Sequence, residues 1–92
     1  MHSIILDILP FTEKAEVHRY FQECMEFEEY YGCNLDALYE ELTSMIEPVA
    51  VTLRYAAHPR GKMADYLPRL LSVFHDAARE NYNLTVSFQE VA

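Results

Sequence analysis

The apolar residues of this chain change their period along its length, and the order of those changes admits few folds. Ser3 to Leu9, SIILDIL, is almost continuously apolar and rich in β-branched residues, the pattern of a strand buried on both faces. It is expected at the centre of its sheet. Val17, Tyr20, Phe21 and Cys24 then recur at helical spacing, which predicts a helix over residues 13–25 with Thr12 as its N-cap. After a loop from Glu26 to Cys33, in which Gly32 is expected to take a positive φ, Asn34 is the expected N-cap of a second helix. Leu35, Leu38, Leu42 and either Met45 or Ile46 form its buried stripe, Asp36 sits in its first turn, and Pro48 stops it.

Val49, Val51, Leu53 and Tyr55 alternate with Ala50, Thr52 and Arg54, the period of a strand with one face partly solvated, and an edge position is expected for it. Residues 56–64, AAHPRGKMA, read as a loop. Leu67, Leu70, Leu71, Phe74 and Ala78 mark a third helix from about Asp65 to Glu80, in which Pro68 is tolerated only within the first turn. Leu84, Val86 and Phe88 alternate in a second edge strand. The order β-α-α-β-α-β calls for parallel strands joined by helical crossovers, and hence a small α/β sandwich with a three-stranded parallel sheet packed with helices.

Composition narrows the function. Ninety-two residues, half of them hydrophobic and only two of them glycine, fit one folded domain over residues 1–92. From Tyr20 to Leu53 there are eight acids (Glu23, Glu26, Glu28, Glu29, Asp36, Glu40, Glu41 and Glu47) and no Lys or Arg, within a chain of net charge −8. Such a field repels phosphate, which disfavours direct nucleic-acid binding and anionic membrane surfaces alike. No apolar stretch is long enough to span a bilayer, and the start MHSIILDILP lacks a basic n-region. A cytoplasmic location is expected.

Chemistry-bearing residues are sparse. Cys24 and Cys33 are expected as free thiols. His2, His18, His58 and His75 are scattered without ligand spacing, so no metal or other cofactor is expected. His75, beside Asp76, reads as a surface residue. An enzyme would have to use Asp36 with Glu40 as an acid and base pair, yet a chain this short suggests no pocket that would split their pKa values. The acids read instead as a docking surface.

The run Glu29-Tyr30-Tyr31-Gly32-Cys33-Asn34-Leu35-Asp36-Ala37-Leu38 resembles the barstar family of ribonuclease inhibitors through its YYGxNLDAL motif. Leu71 to Ala77 is similar to that family's last helix and Asn83 to Phe88 to its closing strand, while the first twenty residues match only in pattern. The resemblance implies a cytosolic protein that plugs the active site of a small basic ribonuclease, or a ribonuclease toxin, with its second helix and the loop before it. It further implies that Tyr30 covers a catalytic histidine of the enzyme and that Asp36 is an inhibitory aspartate. Glu40 stands where the family's dominant aspartate fills the phosphate site, and Asp76 where a further acidic contact comes from the last helix. Asn34 lies inside the motif. Tyr39 and Met45 stand at positions that are tryptophan in the best-known member, and Ser44 replaces a contacting glycine. A monomer in a 1:1 complex is expected.

Elementary geometry supports the same surface. Residues four apart on a helix have Cβ atoms about 5–6 Å apart on one side, so Asp36 and Glu40 would present paired carboxylates at a spacing comparable to neighbouring phosphates. Arg groups that hold phosphate accept a carboxylate in similar geometry. Tyr30 reads as a contact and Tyr31 as a loop anchor in the core. Met45 is either part of the buried stripe or an adaptable contact. The alternative function is a non-inhibitory adaptor of the same fold that docks another basic protein, which Tyr39, Glu40 and Met45 favour.

Overall fold

The computed structural model describes residues 2–92. Its elements are β1 (His2–Asp7), α1 (Lys14–Cys24), α2 (Leu35–Thr43), β2 (Val49–Ala56), α3 (Met63–Glu80) and β3 (Leu84–Val91), in the order expected. The strands form one parallel sheet of order β1-β2-β3. This is an α/β fold with a three-stranded parallel sheet.

The central strand is therefore β2, not β1, and the two expected positions are exchanged. Ile4 pairs with Val51 and Leu6 with Leu53, which in turn faces Phe88 across the next ladder. Crossovers of one hand that step twice in the same direction leave every helix on the same face of the sheet. Burial agrees: Leu6, Val49, Val51, Leu53 and Leu84 are buried on one face, whereas Ser3, Ile5, Thr85, Ser87 and Gln89 are exposed on the other. Ile5, 65% exposed, belongs to that open face. The apolar run SIILDIL thus supplies, through Asp7, a one-sided edge strand carrying an unburied isoleucine, and its last two residues, Ile8 and Leu9, lie beyond the strand. On the open face Asp7 and Arg54, which are register partners, form an ion pair of 2.9 Å.

The core lies between the sheet and the helices. Phe21 of α1 meets Phe74 of α3 edge-on, with ring centroids 5.5 Å apart, beside the fully buried Leu6, Leu38, Leu42, Leu53 and Leu70. Complete burial of one such leucine contributes roughly 1.5–3 kcal/mol. Helix α1 starts one residue later than expected. Its N-cap is Glu13 instead of Thr12, and the Glu16 carboxylate accepts from the Glu13 N–H at 3.1 Å, satisfying a donor that the first turn leaves open. Tyr20 leans to the sheet, where its hydroxyl accepts from the Asp7 N–H. Cys24, expected on the buried stripe, is exposed, and both cysteines are free.

Helix α3 begins at Met63, two residues before the expected start, which places Pro68 in the second turn. There the missing N–H leaves the carbonyl of Ala64 without its i+4 partner. Both residues are exposed, so water can serve that carbonyl. Among the described residues, no helix is long and apolar enough to cross a membrane.

Candidate functional site

The loop before α2 is shaped by local chemistry. Its two left-handed residues are Glu26 (φ 55°) and Cys33 (φ 53°), so the positive φ falls on Cys33 and not on Gly32. Gly32 is needed for space: a Cβ there would lie 3.1 Å from Asn34 Nδ2 and 3.3 Å from Ala37 Cβ. That close approach lets Asn34 act twice. Its Oδ1 accepts from the Ala37 N–H at 2.8 Å, capping α2, and its Nδ2 donates to the Gly32 carbonyl at 3.2 Å. Asn34 is the N-cap that the sequence predicts.

Beneath the loop sits a buried polar chain. Tyr31 is buried, packs its ring 4.9 Å from Phe27, and places its hydroxyl 2.7 Å from His18 Nδ1. His18 Nε2 lies 2.5 Å from the Tyr66 hydroxyl. His18 is fully buried, and burial, reinforced by the charge of Lys14, lowers its pKa to about 4. It is neutral at physiological pH. Burial also pushes the Tyr31 and Tyr66 hydroxyls above the ordinary tyrosine range. The anchoring role expected of Tyr31 is thus present, whereas His18 and Tyr66 were not anticipated. Gln22 adds a second tether, donating from Nε2 to the Glu28 carbonyl at 2.8 Å.

On this frame the predicted surface residues fall as follows. Tyr30 projects from the loop, 82% exposed, and Asp36 and Glu40 are exposed on α2. Tyr39 is half-buried, packs against the core, and shares a shallow depression with Asp76, Arg79 and Glu80 of α3. That depression joins α2 to the acidic position of the last helix. Asp76 also lies 3.5 Å from the exposed His75. Ser44 is the C-cap of α2, its hydroxyl bonded to the Glu40 carbonyl. Met45 packs on the core margin and lines a different hollow, with Ile4, Met25 and Ile46. Ile46 is exposed, so the buried stripe continues through Met45. Leu35 is only half-buried.

The C-terminal end of α2 depends on a residue the sequence does not advertise. Asn81, buried just past α3, donates from Nδ2 to the carbonyls of Leu42 and Met45, both at 3.0 Å. It satisfies acceptors that a helix end leaves open. Both ends of α2 are therefore pinned by asparagine side chains. Pro48 lies five residues beyond the last helical residue, so these contacts, more than the proline, define the end.

The fold defines a class: a small α/β protein with a three-stranded parallel sheet, here with an exposed loop and acidic helix beside it. A family model described as Barstar (barnase inhibitor) matches residues 1–91. A Bacillus subtilis (strain 168) protein named "Putative ribonuclease inhibitor YrdF" is 30% identical over 81 residues, covering 87% of this chain and 89% of that protein. The chain belongs to the barstar family, in which function at family level is ribonuclease inhibition.

Proposed function

We propose that this protein inhibits a small basic ribonuclease, either a host enzyme or a toxin to which it confers immunity, by seating α2 and the preceding loop in the active site. Asp36 and Glu40 occupy positions that the enzyme uses for phosphate, Tyr30 covers a catalytic base, and Asp76 adds a contact from α3. Tyr39, Asn34, Ser44 and Met45 shape the surface around them. The observation that carries this reading is the rigid mounting of an exposed acidic pair. Asp36 and Glu40 lie one turn apart on a helix held at its start by Asn34 and at its end by Asn81, and the loop bearing Tyr30 stands on the buried Tyr31 and His18. Such preorganisation lowers the ordering cost of association.

The inhibitor works by binding alone and needs no cofactor. Its negative field speeds encounter with a cationic enzyme and keeps RNA away. The complex is 1:1, forms in the cytoplasm, and involves neither membrane nor nucleic acid. Mixing the protein with small basic microbial ribonucleases and following RNA cleavage tests this. Loss of cleavage for one enzyme, restored by Asp36→Ala with Glu40→Ala, is the expected result. Binding to a basic protein that is not a nuclease would instead support an adaptor.

A further inference from the structure

Lys14 of α1 and Arg69 of α3 stand over one ring. Lys14 Nζ lies 5.7 Å, and the Arg69 guanidinium carbon 5.8 Å, from the centroid of Tyr66. The Tyr66 hydroxyl is held by His18, so the ring is a fixed platform. Around these cations is a depression whose wall includes Cys33, Asn34 and Asp36. The cationic spot is therefore continuous with the N-terminal end of the acidic surface.

This pairing is unexpected on charge alone. The chain has fifteen acids and seven Lys or Arg residues, yet among the described residues the ion pairs join Arg54 to Asp7, Lys62 to Glu13 and His75 to Asp76. Neither Lys14 nor Arg69 takes part. Two like charges lining one depression beside the same ring repel, and an anion bound in that depression would relieve the repulsion. An Arg beside a Lys offers a carboxylate a forked donor and a second point charge.

We propose that Lys14 and Arg69 receive a carboxylate of the ribonuclease that docks on Asp36 and Glu40, which makes the recognition surface bipolar. The inference rests on the docking reading above and adds partner chemistry to it. The cognate enzyme carries an Asp or Glu at the rim of its cationic site, opposite the Tyr66 platform. A carboxylate suits the spot better than a phosphate, because a polyanion reaching Arg69 would also lie along Asp36 and the acids beyond it. Opposite charges at the two ends of one surface fix the register of docking and reject cationic partners lacking the acid.

The test uses Lys14→Glu, Arg69→Glu and the double variant, with Asp36→Ala as a control. The probe is the tightest binder from a panel of small basic ribonucleases that includes barnase. Overall charge predicts that added negative charge tightens binding to a basic enzyme. Carboxylate capture predicts the opposite: at least tenfold weakening for the double variant, mainly through faster dissociation, with affinity recovered by one Asp or Glu→Lys change in the enzyme. Unchanged or tighter binding of the double variant, while Asp36→Ala still weakens it, overturns the inference and leaves the docking reading standing. Insensitivity to Asp36→Ala as well overturns both. A short single-stranded oligonucleotide that binds the wild type and not the double variant also overturns it, assigning the cations to phosphate.

Discussion

The Tyr66 hydroxyl lies 2.5 Å from His18 Nε2, on the far side of the imidazole from the Tyr31 hydroxyl at Nδ1. Residues from α1, from the loop before α2 and from α3 thus meet at one buried ring. A neutral imidazole has one donor and one acceptor nitrogen, so one tyrosine donates to it and the other accepts from it. An imidazolium would present two donors and a charge with no buried counter-ion.

The first prediction concerns acid. Burial, with Lys14 second, sets the folded pKa of His18 at about 4, below its ordinary 6.5, so the unfolded chain binds more protons between those values. Stability therefore falls as pH falls through that window, by about 2 kcal/mol from pH 7 to pH 5 on account of this group. Urea unfolding at the two pH values checks it. His18→Gln is expected to be less stable at pH 7 and to lose much less on acidification.

Removing either hydroxyl strands a buried nitrogen of His18. Tyr31→Phe and Tyr66→Phe are each expected to cost about 1–3 kcal/mol in urea unfolding. Tyr31→Phe is also expected to raise amide exchange in the loop at Glu29 to Cys33, which Tyr66→Phe changes less.

The loop and α2 were legible in the sequence because their signals are local. Asn34 caps within three residues, Asp36 follows in the first turn, and the motif through Leu38 names the family. Sheet order was not legible, since it depends on which face the helices cover. The run Ser3 to Leu9 looks two-sided, yet its outward Ile5 faces solvent. His18 was missed because its partners are 13 and 48 residues away. A signal existed: Val17, His18 and Phe21 share one helical face, so a polar residue there needed buried partners. The left-handed residue is Cys33, while Gly32 fills a place where a Cβ would crowd Asn34 and Ala37, a packing constraint that no propensity contains.

The two asparagines that pin α2 are expected to differ in cost. Asn34→Ala removes an exposed cap and should cost about 1 kcal/mol. Asn81→Ala leaves the Leu42 carbonyl without a donor in a buried setting and should cost about 1–3 kcal/mol. Denaturant midpoints of the two variants decide the ranking.

Asp36→Ala and Glu40→Ala should leave stability within about 0.5 kcal/mol of wild type, because both side chains are exposed outside the described ion pairs. Each should weaken the nuclease complex by about 2 kcal/mol or more, the range for truncating a desolvated charge pair, as in the barnase and barstar complex itself. Thermal unfolding and a dissociation constant for each variant separate the two effects.

Inhibition is tested most directly by RNA cleavage with a panel of small basic ribonucleases, with and without this protein, at low and at moderate salt. Inhibition of at least one enzyme at equimolar protein, weaker at the higher salt and abolished by Asp36→Ala with Glu40→Ala, is the predicted result. Inhibition that survives both substitutions, or cleavage untouched across the panel, would contradict the account.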